Sequence, residues 1–96
     1  MSQLDIIRKR RDEILRLAES YGIRRVRLFG SIARGDDRPE SDLDVLVDFE
    51  PGRSLLDQVG FRQDLEEMLG RSVDVVAEGG ISPYLEARIL AEAVSL

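Results

Sequence analysis

The sequence of 96 residues contains neither cysteine nor histidine. Without cysteine, the chain has no disulfide framework, no thiolate zinc site and no cysteine nucleophile. Without histidine, it has no Ser-His triad, no imidazole metal ligand and no imidazole general base. Any catalysis therefore depends on carboxylates, Ser, Tyr, Arg, the single lysine, Lys9, or a bound metal ion.

Long apolar runs are also missing from the chain. No stretch approaches the roughly 20 apolar residues that span a bilayer, and residues 1–8 lack the apolar core of a secretory signal. We therefore expect a cytoplasmic protein without membrane contact. With 43% hydrophobic and 34% charged residues, residues 1–96 are predicted to form one globular domain.

Positive charge is in deficit, since 14 basic residues face 19 acidic ones and the formal net charge is −5. This balance disfavours sequence-independent binding to nucleic acid through counterion release. Basic residues are nevertheless concentrated at residues 8–11 and at Arg24, Arg25 and Arg27. Because acidic residues are interleaved nearby, we interpret both clusters as solvated faces or partner contacts rather than nucleic-acid grooves.

Apolar spacing and capping residues predict four helical segments. Each is bounded by a glycine, a Ser-Pro pair or a Ser-x-x-Asp pattern, and they cover residues 3–20, 32–34, 55–69 and 83–94. The same spacing assigns apolar residues to the buried faces of the last two helices, namely Leu55, Leu56, Val59, Leu65, Met68 and Leu69 in the first of them and Leu85, Ile89, Leu90 and Ala93 in the second.

Alternation of apolar and polar residues predicts three strands, at residues 24–29, 43–49 and 72–76. With the helices between them, these strands indicate an α/β fold in which a small mixed three-stranded sheet is flanked by helices. The length of residues 30–42 suits a parallel crossover or an antiparallel return equally well. The direction of the second strand therefore stays open.

Three aspartates on the predicted strands form a candidate metal site. Asp42 and Asp44 are two residues apart, so their side chains leave the same face of a strand, about 6–7 Å apart along the backbone. Asp74 lies between Val73 and Val75, and the same alternation turns it toward that face. Three carboxylates on one face repel one another unless a cation neutralises them. Because Mg²⁺ prefers oxygen ligands, we predict a Mg²⁺ site.

A turn of small residues lies where the first strand ends. Gly30 allows the backbone to approach a phosphate closely, and Ser31 can donate a hydrogen bond to its oxygens. Arg34, one helical turn later, can add a charged donor. Two metal ions between such groups clamp the attacking and leaving oxygens of a displacement at phosphorus. The chain is therefore expected to act on a metal-bound nucleoside triphosphate.

These motifs together resemble a known signature. The Gly-Ser pair at residues 30–31, followed after ten residues by Asp-Leu-Asp at 42–44, resembles that of the DNA polymerase β-like nucleotidyltransferase superfamily. Ala-Arg-Gly at 33–35, Ser41 and Val-Asp-Val at 73–75 resemble its minimal members, the MNT proteins. The resemblance extends over nearly the whole chain.

The resemblance implies that Asp42, Asp44 and Asp74 form the metal triad. Asp42 and Asp44 would bridge the ions and the triphosphate, and Asp74 would serve the ion near the attacking hydroxyl. The nucleotide-binding residues are then Gly30, Ser31, Arg34 and Ser41. All three acids are present, so no departure from the pattern predicts an inactive protein.

The resemblance also implies a function and a partner. Minimal members are typically encoded beside an all-helical HEPN ribonuclease toxin. They resemble antitoxins that transfer AMP from ATP onto a tyrosine of that toxin and so silence it. For this chain, the implied cofactor is Mg²⁺, the implied substrate is ATP and the implied partner is a HEPN-type toxin in a hetero-oligomer.

Two alternatives stay open. The chain could neutralise its partner by occlusion alone, since its small size and exposed arginines suit contact with an acidic surface. Transfer onto a small molecule or an RNA end is disfavoured, because the chain is short and negatively charged. The pocket for the base is not identifiable, because all five aromatic residues fit core positions, namely Tyr21, Phe29, Phe49, Phe61 and Tyr84.

Overall fold

The computed structural model describes residues 2–96, in which five helices and four strands are found. In chain order they are α1 Gln3–Lys9, α2 Arg11–Ser20, β1 Ile23–Phe29, α3 Gly30–Arg34, β2 Leu43–Phe49, α4 Leu55–Leu69, β3 Val73–Ala77, α5 Pro83–Glu92 and β4 Val94–Ser95. Within these described residues, no helix combines the length and the apolarity that crossing a membrane requires. The predicted alternation of helices and strands is confirmed.

The N-terminal region consists of two helices, so the predicted single helix over residues 3–20 is wrong. The break falls at Arg10, whose φ of −102° and ψ of 19° lie outside the helical range. Its guanidinium donates hydrogen bonds to the Met68 carbonyl at 2.5 Å and to the Glu13 carboxylate at 2.8 Å. The Met68 carbonyl lies in the last turn of α4, where carbonyls have no partner inside the helix. The break therefore joins the N-terminal helices to the end of α4.

Other helix ends follow the predicted capping residues. Gly22 and Gly70 have φ of +76° and +65° and lie just after α2 and α4. The Ser54 hydroxyl accepts the Leu56 amide, and the Asp57 carboxylate accepts the Ser54 amide. The predicted capping box at the start of α4 is therefore confirmed.

The sheet is mixed, as predicted, but it has four strands among the described residues rather than three. The strand order is β3-β2-β1-β4, in which β1 is antiparallel to β2 and β4, and β2 is parallel to β3. The additional strand β4 pairs with Arg27 and Leu28. Two residues are too few to show a period-two pattern, and the sequence pattern assigns Val94 to the last helix, which ends at Glu92 instead.

One face of the sheet packs against α2 and α4. Buried residues of both layers meet there, including Ile14, Ala18, Val26, Leu28, Val45, Val47, Phe61 and Leu65. Full burial of such a side chain contributes about 1.5–3 kcal/mol. This packing fixes which face of each strand points inward, so the alternate residues of β1, β2 and β3 lie on the opposite face.

Five residues predicted to be buried are exposed, namely Leu55, Leu56, Tyr84, Leu85 and Leu90. On α5, the buried residue is Ile89. Periodicity identifies a possible apolar face of a helix, but it does not show whether another layer covers that face. The prediction that all five aromatic residues lie in the core is wrong for Tyr84, which is 80% exposed, and for Phe29, which is not among the core residues.

Candidate active site

Asp44 lies in the interior of the sheet, where Phe29 pairs with it on β1 and Asp74 pairs with it on β3. Its two neighbours along β2 are buried in the core. The alternation of the strand therefore directs Asp44 to the face away from α2 and α4. Because β2 and β3 are parallel and in register here, Asp74 lies beside Asp44 on that face.

Asp42 adds a third carboxylate from the loop just before β2, and we call these three aspartates the acidic cluster. Asp42 and Asp74 are exposed, whereas Asp44 is partly buried. Burial raises the pKa of Asp44 above its ordinary value of 3.8, and the negative charges of Asp74 and Asp42 raise it further. The positive charge of Arg34 lowers it. The three carboxylates therefore act on one another electrostatically, and a cation would relieve their repulsion.

The donors of the acidic cluster suit a hard cation such as Mg²⁺. Among residues 2–96, no three acidic side chains are close enough together to form a complete metal site by themselves. Mg²⁺ does not need one, since it commonly binds through one or two carboxylates and keeps water and phosphate ligands. Asp44 with one neighbouring aspartate therefore fits an ion that also binds a nucleotide phosphate.

Gly30 brings the start of α3 against Asp44. Its φ of +75° lies in the left-handed region, and a Cβ at this position would lie 2.1 Å from Asp44 Oδ2. Both conditions require glycine. Ser31 is half-buried, and its carbonyl accepts the amides of Gly35 and Asp36 at 3.0 and 3.1 Å. The Gly-Ser turn is therefore held closely beside a carboxylate of the acidic cluster.

Arg34 and Ser41 both have partners within the protein. The Arg34 guanidinium lies 3.3 Å from the carboxylates of Asp36 and Glu92. These acids, Asp36 foremost through its hydrogen bond, raise the pKa of Arg34, so the side chain is charged. The Ser41 hydroxyl accepts the amide of Arg38 at 2.8 Å. Ser41 therefore stabilises the loop that leads into β2.

A cleft of about 410 Å³ opens between α5 and the sheet. Of the predicted site residues, Gly30, Arg34 and Asp74 line it, whereas Ser31, Ser41, Asp42 and Asp44 do not. The structure thus brings together the glycine turn, the arginine and one carboxylate at a single opening. Asp44 lies directly behind it, since it pairs with Asp74 and contacts Gly30.

The rest of the cleft was not predicted from the sequence, and it consists of Phe29, Val76, Leu85, Arg88, Ile89 and Glu92. Most of these residues belong to α5, and no spacing pattern shows over which face of the sheet a helix packs. The one available signal is the position of Phe29 directly before the Gly-Ser turn. Its side chain leaves β1 on the same face as Asp44, because the two residues are paired.

The arrangement suits a cation-bound polyphosphate. The acidic cluster has the oxygen ligands that such a cation prefers, and Arg34 supplies a positive charge at the cleft that Gly30 and Asp74 also line. The apolar residues Phe29, Val76 and Leu85 line the same opening and can contact an uncharged part of the molecule.

Comparison with known proteins identifies the family. The model of the nucleotidyltransferase domain family matches residues 7–96. A Methanocaldococcus jannaschii protein with the provisional name protein adenylyltransferase is 44% identical over 84 residues, which cover 88% of this chain and 90% of the relative. The protein adenylyltransferase MntA of Thermococcus cleftensis is 38% identical over 78 residues, which cover 81% of this chain and 79% of the relative.

Solved structures share the fold. One of these structures is of a protein provisionally described as a minimal nucleotidyltransferase. It is 48% identical to this chain, with a TM-score of 0.88, and the match covers 100% of this chain and 97% of the solved chain. A toxin–antitoxin crystal structure with AMP-PNP is 22% identical, with a TM-score of 0.77 over 88% of this chain and 69% of its own. The expected fold class and the expected class of enzyme are confirmed. The chain belongs to the nucleotidyltransferase domain family.

Proposed function

We propose that residues 1–96 form a Mg²⁺-dependent protein adenylyltransferase domain, which transfers AMP from ATP to a tyrosine of a partner toxin of the HEPN type. The chain would be the antitoxin of this pair and would act in the cytoplasm, where ATP is available. The observation that carries the proposal is the register of Asp44 with Asp74 directly beside Gly30. This register places the two carboxylates on one face of the sheet, beside the turn at Gly30.

The relatives support the reaction and the partner. Two of them are named protein adenylyltransferases, one provisionally. Two structures that share the fold are a toxin–antitoxin complex with AMP-PNP and a complex of a tri-AMPylated HEPN toxin with an MNT antitoxin. A chain with the same fold and an acidic cluster beside a glycine turn has the groups that the same chemistry needs.

The acidic cluster would hold the metal ions. Asp42 and Asp44 would bind Mg²⁺ together with oxygens of the triphosphate, and Asp74 would face the attacking hydroxyl. When bound, Mg²⁺ neutralises charge on the triphosphate and on the leaving group. Burial raises the pKa of Asp44 most, and the negative charges of Asp74 and Asp42 raise it further. The part that comes from these charges supports the assignment, because a bound cation would turn their repulsion into attraction.

The transfer exchanges one phosphorus–oxygen bond for another. The tyrosine oxygen forms a bond to the α-phosphorus of ATP while the bond from that phosphorus to the oxygen of the β-phosphate breaks, and pyrophosphate leaves. Asp74, which is exposed at the cleft, accepts the phenol proton. Positioning and charge neutralisation supply most of the rate in such reactions, so no histidine is needed.

Gly30, Ser31 and Arg34 would bind the phosphates. The pairs of Arg34 with Asp36 and Glu92 are solvent-exposed, and exposed pairs of this kind contribute only about 0–1 kcal/mol. The guanidinium can therefore exchange them for phosphate oxygens. Ser41 would act by holding the loop before β2, since its hydroxyl is already bonded to that loop.

The test is the transfer of label from ATP to the toxin encoded beside this chain. With Mg²⁺ and ATP labelled at the α-phosphate, we expect labelled toxin, with the label located on tyrosine by mass spectrometry. ATP labelled at the γ-phosphate should leave the toxin unlabelled, and EDTA should abolish transfer. Asp44→Asn should reduce labelling at least about 100-fold. The control Glu40→Gln, at an exposed position of the preceding loop, should label normally.

Three results would contradict the proposal. Equal labelling by the wild type and Asp44→Asn would remove the acidic cluster from the reaction. Label transferred from the γ-phosphate would show phosphoryl rather than nucleotidyl transfer. An unlabelled toxin that the chain still neutralises would support occlusion by binding alone.

A further inference from the structure

Helix α5 presents an apolar surface beside the candidate active site. Eight of its ten residues are exposed, and the two charged ones among them, Arg88 and Glu92, line the cleft together with Asp74. The other six are apolar, and we call them the α5 surface: Pro83, Tyr84, Leu85, Ala87, Leu90 and Ala91. A surface helix normally carries polar and charged residues on its solvent side. An apolar solvent side therefore indicates a binding surface.

The α5 surface adjoins the mouth of the cleft. Leu85 belongs to both, since it is exposed and also lines the cleft. Tyr84 lies four residues before Arg88, another residue of the cleft, so the two side chains are neighbours on the helix. Exposed aromatic side chains of this kind are frequent anchors of protein interfaces. Tyr84 is therefore in position to contact whatever approaches the opening.

The transfer reaction brings a protein to this opening. A tyrosine that attacks a phosphate near Asp74 has to enter the cleft, and because its side chain is short, the backbone that carries it must come to the cleft mouth. A stable interface buries about 800 Å² on each partner, a patch roughly 30 Å across. Helix α5 has ten residues and is about 15 Å long. An interface centred on the cleft therefore covers α5.

We infer that the α5 surface is the docking site for the partner toxin and that it binds an uncharged, apolar surface around the acceptor tyrosine. The inference rests on the proposed function, because it takes the partner to be the protein that receives AMP. The absence of charge from the α5 surface matches the centre of an interface, where charged residues are depleted. A second copy of this chain fits less well, because on this surface it would obstruct the mouth that the tyrosine must enter.

A second exposed apolar pair, Leu55 and Leu56, provides a matched control. These residues begin α4, which packs on the sheet face opposite the cleft. Leu56 and Tyr84 are each the second residue of their helix, and they are 81% and 80% exposed. An acidic residue at this position is compatible with the helix dipole. The same substitution can therefore be made at both sites, and only one of them lies beside the cleft.

The binding test measures the affinity of the full chain for the toxin encoded beside it, by calorimetric titration without nucleotide. We expect Tyr84→Asp and Ala87→Lys to bind at least about tenfold more weakly than the wild type. The two substitutions introduce opposite charges, so a loss in both indicates that apolar contact is lost. Leu56→Asp should bind as the wild type does.

Transfer kinetics separate docking from chemistry. In Tyr84→Asp, the KM for the toxin should rise at least about tenfold, whereas the KM for ATP should stay at the wild-type value. If the wild type leaves the toxin unlabelled, the proposed function fails, and the affinities measured without nucleotide still decide where the toxin docks.

Four results would overturn the inference. They are a toxin that does not bind the wild type, unchanged affinity in Tyr84→Asp (or in Ala87→Lys if Tyr84→Asp does not fold), and an equal loss of affinity in Leu56→Asp. The fourth is a dimer of the chain alone, seen by analytical ultracentrifugation, that Tyr84→Asp dissociates without changing the affinity for the toxin. That result would assign the α5 surface to a second copy of the chain.

Discussion

The conflict between stability and function is concentrated at Asp44. Its carboxylate is partly buried, and Asp74 and Asp42 place two further negative charges near it. Burial and like charge both disfavour ionisation, which is why the pKa of Asp44 is raised. The same arrangement is what a site for a divalent cation requires. The metal-free fold therefore carries a cost that binding removes.

We predict that Asp44→Asn increases the free energy of unfolding of the metal-free protein at neutral pH. Because folding raises the pKa of Asp44, the wild-type fold is penalised above that pKa, and the penalty disappears as the pH falls toward 3.8. The advantage of the variant should therefore be largest at neutral pH and shrink in acid. Urea unfolding at several pH values measures it, with Glu40→Gln expected to stay within about 0.5 kcal/mol of the wild type. A variant less stable than the wild type at neutral pH would contradict this account.

Alanine substitutions at two glycines distinguish the effect of backbone strain from the effect of crowding the acidic cluster. Gly30 and Gly35 both have positive φ, +75° and +82°, so alanine at either position should cost about 1–2 kcal/mol. Only at Gly30 would the added Cβ overlap an oxygen of Asp44, whereas at Gly35 it meets nothing within 4 Å. We predict that Gly30→Ala loses most of the transfer rate and that Gly35→Ala keeps it. Unfolding curves and initial rates test this, and equal rates would mean that the contact with Asp44 is unimportant.

The site could be predicted from sequence only where one strand or turn carries it. Asp42 and Asp44 follow from alternation within a single strand, and Gly30 follows from its place at a strand end. The register of Asp44 with Asp74 depends on β2 and β3 being neighbours in the sheet, and no local pattern in the sequence shows the strand order. The pair of Arg34 with Glu92 joins residues 58 positions apart, and no local pattern indicates it.

Among the elements, the packing of α2 on α4 depends on a glycine, which has no side chain, at the contact between them. Gly60 lies in α4, and a Cβ there would lie 2.7 Å from the ring of Tyr21, just after α2. The Tyr21 hydroxyl donates to the Asp64 carboxylate, and its ring meets Phe61 edge-on with centroids 6.2 Å apart. The tyrosine is therefore held on both sides and cannot move aside freely.

We predict that the effect of Gly60→Ala on stability changes sign with residue 21. Alanine in a helix interior is normally more stable than glycine by about 0.5–1 kcal/mol. In the wild type, the contact with Tyr21 should outweigh this gain and lower the free energy of unfolding. In a Tyr21→Ala background the contact is absent, so Gly60→Ala should raise the free energy of unfolding. A double-mutant cycle measures the coupling, and the same sign in both backgrounds would disprove it.

The elements that the sequence predicts well are those bounded by local signals. The strand Leu43–Phe49 alternates apolar and polar residues except at the buried Leu46, and α4 lies between its cap at Ser54 and Gly70. The break at Arg10 and the strand β4 depend instead on partners far along the chain, the Met68 carbonyl and the edge of β1. Local periodicity contains no information about such contacts, so a single helix and a three-stranded sheet are the natural predictions.

Across the whole molecule, charge is separated along β1. Asp44 and Asp74 lie near the end at Phe29, whereas Arg24 and Arg25 lie near the other end, where they pair with Asp48 and Glu78. The net charge of −5 conceals this separation. Because the two ends of β1 are about 20 Å apart, beyond the roughly 8–10 Å over which charge effects extend in physiological salt, charge-changing variants at Arg24 or Arg25 should leave the acidic cluster unchanged.

The final prediction concerns the response of the whole fold to cations. Binding to the native state alone raises stability by mass action, about 2.7 kcal/mol at a ligand concentration 100 times the dissociation constant, whereas Na⁺ acts by screening. At matched ionic strength, Mg²⁺ should therefore raise the midpoint of thermal unfolding more than NaCl does, and EDTA should reverse the increase. Asp44→Asn should lose the Mg²⁺-specific part while starting from a higher midpoint, and Glu40→Gln should keep it. Equal shifts of the unfolding midpoint with Mg²⁺ and Na⁺ in the wild type would show that the acidic cluster does not bind Mg²⁺. In that case its carboxylates would repel one another and respond to both cations only through screening.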